Sequence, residues 1–465
     1  MGGCAMSYES FVFSKLSRVP PTGIRGDFEL PASLFGHQSA LTRWALRRGR
    51  AAVFADTGLG KTRIELAWGA AVARFTARPV LILTPLAVAA QTALEGARLG
   101  IPVTICRDGS DVRPGINVTN YDRLHRFDCS VFGGVAPDES SIIKHHDAKT
   151  FATLTQAFRD TPFKLPATAT PAPNDWTELG THAEFLGVCT RAEMLAEFFT
   201  HDGGDTSVWR LKGHARSEFW RWVCSWGALI RKPSDLGFDD SAYALPPLML
   251  HEHQIETEQS TNGMLFAMEA QTLSERREAR KSSMEERVAE CARVVNAEAD
   301  EPWVVWCDLN AEGDALTKAI DGAVQIAGAD DTDTKEERLQ AFASGKFRVL
   351  VSKPSICGWG LNWQHSARMA FVGVTDSYEA YYQAVRRCWR FGQKRQVHVH
   401  IFASKAEGAV VANLKRKERE AQQMAEALSA ETHDAVMAEV SGLHRQTNAH
   451  NAGQRVAVPD FLRAA

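Results

Sequence analysis

Three groups of residues in this chain have the types and spacing of phosphate chemistry. The first is Ala55-Asp56-Thr57-Gly58-Leu59-Gly60-Lys61-Thr62, set between the apolar run Ala51–Phe54 and a stretch from Arg63 that reads as a helix. A strand, a glycine-rich loop and a helix N-terminus make a cradle for phosphate oxygens: backbone N–H groups curl around them and the helix dipole adds a favourable field. Thr57, Gly58 and Gly60 line such a cradle, Lys61 reaches the outer phosphates of ATP, and Thr62 holds Mg2+. The second group is Asp138-Glu139-Ser140-Ser141, after the Val131–Ala136 run. Acidic pairs commonly cap helices. Placed after a strand and downstream of a phosphate loop, this pair suits a nucleotidase, with Asp138 binding magnesium through water and Glu139 orienting or deprotonating the attacking water. The third is Gln383-Ala384-Val385-Arg386-Arg387-Cys388-Trp389-Arg390-Phe391-Gly392-Gln393. On an expected helix Tyr378–Arg390, Arg387 and Arg390 share one face, and their guanidinium groups suit the charge that develops on a transferring phosphoryl group.

Weaker groups gain meaning from that company. Gln38, in Phe35-Gly36-His37-Gln38 ahead of an expected helix Ser39–Arg47, carries an amide able to pair with both a donor and an acceptor on adenine. Thr168-Ala169-Thr170-Pro171 offers hydroxyls, Thr170 among them, that can connect a nucleotide site to a strand-binding surface. The loop from Ser352 to Gln364 is punctuated by Gly358 and Gly360, which permit close backbone approach to a nucleic-acid phosphate or to the nucleotide. His145-His146-Asp147 and His251-Glu252-His253 lack a completed metal-ligand set. His398 and His400 alternate along a strand and read as packing residues. Phe219, Trp222, Val223, Trp226 and Ile230 fall at helical spacing and read as a buried face, leaving Arg210, Lys212, Arg216 and Arg221 to touch a DNA backbone.

Positioning these groups requires two alternating units. From about residue 30 to 230, strand candidates at Ala51–Phe54, Val80–Leu83, Val103–Cys106, Ile116–Thr119, Val131–Ala136 and Phe163–Thr168 alternate with helical stretches such as Ala87–Leu99 and Asp147–Phe158. That alternation predicts an α/β fold, a parallel sheet covered by helices. A helical portion near 190–230 closes the first unit, and a Pro- and Gly-bearing stretch over 231–257 reads as a linker. The second unit, 258–428, opens with a helical, mixed-charge stretch. It continues with strands at Trp303–Cys307, Ala323–Ile326, Arg348–Val351, Met369–Val374 and Val397–Ile401, and a polar helix over Ala406–Leu428. Residues 1–29 read as an extension and 429–465 as a tail. Pro137 and Pro166 fall in or beside strand candidates, where a missing N–H is tolerated only near an end.

Composition excludes more than it assigns. The formal net charge of −3 over 465 residues gives no global basic excess, so any polyanion must be met by a local patch or by backbone amides. Nine scattered cysteines without a C-x-x-C pair suit reduced thiols and argue against a zinc ribbon. No apolar run approaches a membrane span and no signal-peptide core stands at the N-terminus, so the expected compartment is the cytoplasm, with no membrane partner.

The ordered set resembles a superfamily-two helicase of the DEAD/DEAH-like class, in the Swi/Snf-like branch as found in compact phage and prophage proteins. Ala55 in place of the first glycine of the loop belongs to that resemblance, and Gln-x-x-x-Arg-x-x-Arg-x-Gly-Gln at 383–393 is its most specific mark. The resemblance implies two tandem RecA-like lobes, a small helical insertion between them, and ATP with Mg2+ in the cleft. Gln38, the 55–62 loop, Asp138 and Glu139 come from one lobe, and Gly360, Arg387 and Arg390 from the other. It further implies nucleic-acid contacts from Thr84, Asn120 and Thr170 in the first lobe and Ser352, Gly358 and Asn362 in the second, with Trp306-Cys307-Asp308 as a further second-lobe motif. A helix after Lys405, with Lys415 and Lys417, resembles one that braces the first lobe. Ser141 stands where many relatives carry His, and Arg386 where the branch usually has Gly. The implied activity is ATP-driven translocation on double-stranded DNA in a bacterial or prophage setting, with a recruiting or nuclease protein as a possible partner. Three alternatives share much of this pattern: an RNA-directed helicase of the same superfamily, the motor subunit of a restriction or defence complex, and an ATP-regulated nucleic-acid clamp without catalysis. Intact Lys61, Glu139 and both arginines disfavour the last.

Overall fold

The computed structural model describes residues 21–85, 88–146, 148–172, 175–202, 205–255, 282–357, 362–373 and 377–404, with short runs between 412 and 440. Gly358 and Gly360, Lys415, residues 256–281 and most of Ala406–Leu428 lie outside the described residues.

In the first unit Ala52–Ala55 (β1), Val80–Thr84 (β2), Val103–Ile105 (β3), Ile116–Asn120 (β4) and Gly134–Pro137 (β5) form where β-branched and apolar runs put them. β1, β2, β4 and β5 are buried along their whole length, the pattern of strands covered on both faces. The Phe163–Thr168 candidate is divided. Phe163–Lys164 (β6) pairs with β5, and Ala167–Thr168 (β7) pairs with β1. Pro166, which has no N–H to donate, falls in the break and only accepts, from Val53 N. Bridges Arg50–Lys164 and Asp138–Ala167 carry the ladder across. Pro137 is the last residue of β5, so its missing donor costs little there. With Gly227–Ile230 (β10) beside β1, the parallel order is β3-β4-β2-β5-β6/β7-β1-β10. The C-terminal ends of β1, β5 and β7 therefore lie side by side, the edge where open α/β sheets bind ligands.

Three stretches differ from expectation. The region near 190–230 is not wholly helical. Helix Arg191–Phe198, an antiparallel hairpin Phe199–Asp202 (β8) with Asp205–Leu211 (β9), and helix Arg216–Cys224 lead into β10 of the first sheet. Phe219, Val223, Trp226 and Ile230 are buried as their spacing predicts, but the helix stops at Cys224. Gly227 then lets β10 approach β1, since a Cβ there would sit 3.0 Å from the Phe54 ring. Second, the end of the stretch read as linker, Leu248–Ile255 (β11), is an edge strand of the second sheet. Its mixed His and Glu content hides the strand, because only one face is covered. Third, Val436 and Val440, in the stretch read as tail, pack into the core of the first unit.

The second sheet adds Trp303–Cys307 (β12), Ala323–Ile326 (β13), Val349–Ser352 (β14), Arg368–Val372 (β15) and Val397–Ser404 (β16). It is six-stranded and parallel, in the order β11-β16-β15-β12-β14-β13. β12 serves both faces: Val304 and Trp306 enter one apolar cluster, Trp303, Val305 and Cys307 the other. Two parallel sheets covered by helices are thus the architecture. Among the described residues no helix is long and apolar enough to cross a membrane.

Candidate active site

The phosphate loop leaves β1 at Ala55 and ends where helix Lys61–Thr76 begins. Gly58 and Gly60 adopt φ of +94° and +83°, a region where a side chain is strained. Lys61 is nearly buried, and its Nζ donates to Ala55 O at 3.0 Å, so the amine lies across the loop it must serve. Gln38 is buried and fully engaged: its Nε2 donates to Leu59 O at 3.1 Å and its Oε1 accepts from Phe35 N. In this arrangement the amide braces the loop and does not face outward. His37 also meets Leu59 O, and Phe35, Tyr243 and Phe391 pack edge-to-face and tilted around it, joining both units and the chain between them.

Asp138 and Glu139 lie just past β5. Asp138 Oδ1 accepts from Glu139 N, and Tyr121 Oη donates to Asp138 O at 2.6 Å. Glu139 is held at φ +52°, one of two described non-glycine residues in the left-handed region. Strain of that kind clusters at functional sites, and it persists only when neighbours over-determine it. Here Ser140 Oγ meets His182 Nε2 at 3.0 Å, and the His182 ring packs edge-on to Phe54 of β1. Burial pushes His182 down to about 4, so it is a neutral strut. Burial and the Glu139 carboxylate push Asp138 up to about 7, against the pull of Lys61 and Arg387.

The arginines arrive from the second unit, although not on a helix. Helix Tyr378–Val385 ends before them, and Arg387, Cys388 and Arg390 sit in tight turns whose amides reach back to Ala384, Val385 and Cys388. The shared helical face expected for Arg387 and Arg390 is therefore replaced by a turn. Both lie within reach of the carboxylates' charge: burial lowers Arg387, which Glu139 and Asp138 oppose, and burial with Arg387 lowers Arg390, which Glu139 opposes. Gln383 orients Arg387 through its backbone O and Oε1, at 2.9 and 3.0 Å. Gln393 fixes the far end of the turn by donating to Gln364 O, Ser366 O and Cys388 O.

Several residues here escape sequence reasoning. Asp56 accepts from Tyr382 and Arg386 of the second unit. Glu65, one helical turn from Lys61, is completely buried, and burial with the nearby Asp138 charge drives its carboxyl well above the usual range. The i, i+4 spacing on a helix was the available signal for Glu65. His182 had none, since forty-two residues separate it from Ser140.

The nucleic-acid candidates divide. Thr84, Asn120 and Ser352 are buried and bonded inside the protein: Thr84 Oγ1 to Thr119 O, Asn120 Oδ1 from Arg123 N, Ser352 Oγ to Ile326 O. Their side chains are not at the surface, because all three end buried strands. Thr170 Oγ1 and Asn362 Oδ1, by contrast, have no partner among the described residues. Neither do Thr57 Oγ1, Glu139 Oε2, Gln383 Nε2 or either Glu65 carboxylate oxygen. Buried polar atoms are ordinarily paired, so a set of orphans on the elements around one loop fits a polar ligand such as a magnesium nucleotide. Among the described residues no cluster of His, Cys, Asp and Glu forms a protein-only metal site.

Comparison with known proteins agrees in part. Residues 287–392 match the family described as helicase conserved C-terminal domain, a segment running from before β12 through Arg387 and Arg390. Among solved structures the chain is similar to the Sulfolobus solfataricus SWI2/SNF2 ATPase core in complex with dsDNA, at 15% identity and a TM-score of 0.42, covering 89% of this chain and 98% of that one. No curated protein matches the chain.

Proposed function

We propose that this protein is an ATP-hydrolysing motor that moves along double-stranded DNA, with ATP bound between the two units. The observation that carries the reading is the meeting of Lys61, Asp138 and Glu139 with Arg387 and Arg390, groups from opposite units whose charges act on one another. The helicase-like character of the segment holding the arginines supports it.

In this reading the loop amides and Lys61 hold the β- and γ-phosphates. Thr62 and Asp138 would hold the magnesium ion, which would supply positive charge to neutralise the phosphates. Glu139 takes a proton from the water that attacks the γ-phosphorus, and the bond to the β–γ bridging oxygen breaks, giving ADP and phosphate. Arg387 and Arg390 stabilise the charge on the transferring group. Because they belong to the second unit, hydrolysis is sensitive to how the units close, and alternating closure can advance a grip on DNA. We assign that grip to backbone amides near Thr84, Asn120, Thr170, Ser352 and Asn362, with Arg210, Arg216 and Arg221 exposed nearby in sequence to the hairpin. Such gripping is strongly salt-dependent and nearly indifferent to sequence.

The test is ATPase activity alone and with duplex DNA, single-stranded DNA and RNA, for the parent and for Lys61→Ala, Glu139→Gln and Arg390→Ala. Duplex DNA is expected to stimulate the parent most, and each variant to lose about 100-fold or more. Greater stimulation by RNA would transfer the reading to an RNA-directed motor. A parent inactive with every nucleic acid would sink it.

A further inference from the structure

The arginine turn touches the phosphate loop through residues other than the two arginines that face phosphate. Asp56, second in the loop, accepts from Tyr382 Oη at 2.6 Å through Oδ1 and from Arg386 Nη2 at 2.9 Å through Oδ2. On its own side it accepts from Thr57 N. Arg386 is 6% exposed; its Nε donates to Tyr382 Oη, and its guanidinium lies over the rings of Tyr382 and Trp389. Two residues beyond Asp56, Gly58 meets the same turn: a Cβ there would lie 3.1 Å from Phe391 N and Cβ. Both shoulders of the loop are thus gripped by residues 382–391.

The grip alternates with the proposed chemistry. Arg386 and Phe391 contact the loop, while Arg387 and Arg390, their immediate neighbours, lie close enough to Asp138 and Glu139 for their charges to act on one another. An ion pair this enclosed, with a planar guanidinium stacked between two aromatic rings, is stiff in a way that a surface lysine is not. Burial works against the charge on Asp56, yet Arg386 and the Tyr382 and Thr57 hydrogen bonds outweigh it and hold the carboxyl below its usual range. Two further ion pairs cross between the units, Lys144–Glu379 and Arg123–Asp333. The second, at 3.8 Å, has an exposed carboxylate, so it can set little geometry.

We infer that Asp56, Tyr382 and Arg386 form a positioning clamp that registers the arginine turn on the phosphate loop, so that Arg387 and Arg390 are placed by the loop itself and the units close without nucleotide. The inference rests on the reading of those two arginines as phosphate-facing. None of the three clamp residues is a catalytic residue; they act through their neighbours.

Two measurements on the full chain test it. Small-angle scattering of nucleotide-free protein should give parent dimensions that barely change on adding a non-hydrolysable ATP analogue with magnesium, whereas Asp56→Asn and Arg386→Gln should expand without nucleotide and contract when it is added. Steady-state hydrolysis should show kcat lowered about 10- to 100-fold in each variant with KM for ATP changed far less. The double variant should be no worse than either single, because one interaction has been removed once, and Arg386→Lys should recover only part. Tyr382→Phe, which removes one hydroxyl, should give a smaller loss in the same direction and serves if a charge variant misfolds. Parent-like dimensions together with parent-like kcat in the variants would overturn the clamp. A parent that never hydrolyses ATP would overturn the proposed function instead, while the scattering result still decides whether the units are clamped.

Discussion

Two groups of buried charge among the described residues are built on opposite plans. In the second unit Arg287 and Glu312 are fully enclosed, and both carboxylate oxygens of Glu312 are hydrogen-bonded. Arg287 Nη2 donates to Glu312 Oε1 at 2.8 Å and its Nε to Ser283 Oγ, while Glu312 Oε2 accepts from Asp308 N and Leu309 N. In the cleft, Glu65, Asp138 and Glu139 lie near Lys61 and the arginines with at least three carboxylate oxygens lacking partners among the described residues. One carboxyl is driven far up and another to about 7. A carboxylate with both oxygens bonded is a structural part, joining helix Met284–Ala297 to the start of helix Asn310–Ala319. A cluster of carboxyls that raise one another beside a lysine and two arginines has the marks of a functional site.

The largest effect that would break this contrast is a stability effect. Arg287→Ala or Glu312→Ala alone leaves a buried, uncompensated charge and is expected to cost about 3–5 kcal/mol, read by denaturant unfolding. The paired replacement Arg287→Met with Glu312→Leu should recover most of that loss, since matched apolar side chains of similar volume are close to neutral. If the single variants are tolerated, enclosure does not distinguish the two groups. The contrast would then fail.

How far either group could be read in advance follows from the range of the interactions involved. Lys61, Asp138 and Glu139 stand out in the sequence because each sits in a local pattern, a loop between strand and helix or an acidic pair at a strand end, whereas the helical face expected for Arg387 and Arg390 is a turn in the structure. The buried strands were legible for the same reason, since β1, β2 and β12 are unbroken apolar runs. What was lost depends on pairing across distance. β11 shows one covered face and reads as a polar linker until β16 lies beside it. The end of the arginine helix at Val385 is set by the turn closing on Gln364 and Ser366, not by a proline or glycine within it. Asp56 looks like one loop residue among eight until Arg386 arrives.

That edge strand supplies the second test, because it is a third plan: polar groups enclosed without charge. His251 Nε2 meets His398 Nδ1 at 2.9 Å and His253 Nε2 meets His400 Nδ1 at 3.0 Å, with the His251 and His400 rings stacked at 4.5 Å. Each contact needs one ring as donor and the other as acceptor, so a doubly protonated ring cannot accept. Burial and the neighbouring histidines hold His400 down to about 3. His253 and His398 are also lowered, with Glu290 near the first and Arg368 near the second. Folded values below the unfolded 6.5 mean that the unfolded chain binds the protons first, so stability falls as pH drops below about 6.5 and goes on falling toward 3. Between pH 7.5 and 5.5 the loss should be on the order of 1–2 kcal/mol, after discounting for partly exposed rings. His253→Phe with His400→Phe should flatten the profile of unfolding midpoint against pH, and an unchanged slope would show that the ladder does not titrate.

The smallest effect is also the sharpest, because its sign opposes that of the Arg287 variants. Glu65 shares a helix face with Lys61 and would pass for its ion-pair partner on spacing alone. Both its carboxylate oxygens lack partners among the described residues, and burial with the Asp138 charge raises it well above the usual range. A carboxyl whose folded value is raised weakens folding increasingly as pH climbs above its unfolded value of 4.5. Glu65→Gln keeps the shape and removes that penalty, so the variant should be more stable than the parent by about 1 kcal/mol, and by more at pH 8 than at pH 5. A stabilising replacement of a fully buried charge, beside a destabilising one at Arg287, is what separates a site from a strut. If Glu65→Gln is instead less stable at every pH, Glu65 is holding Lys61 in place. The cleft would then be built on the same plan as the Arg287–Glu312 pair, with its orphan oxygens no guide to a ligand.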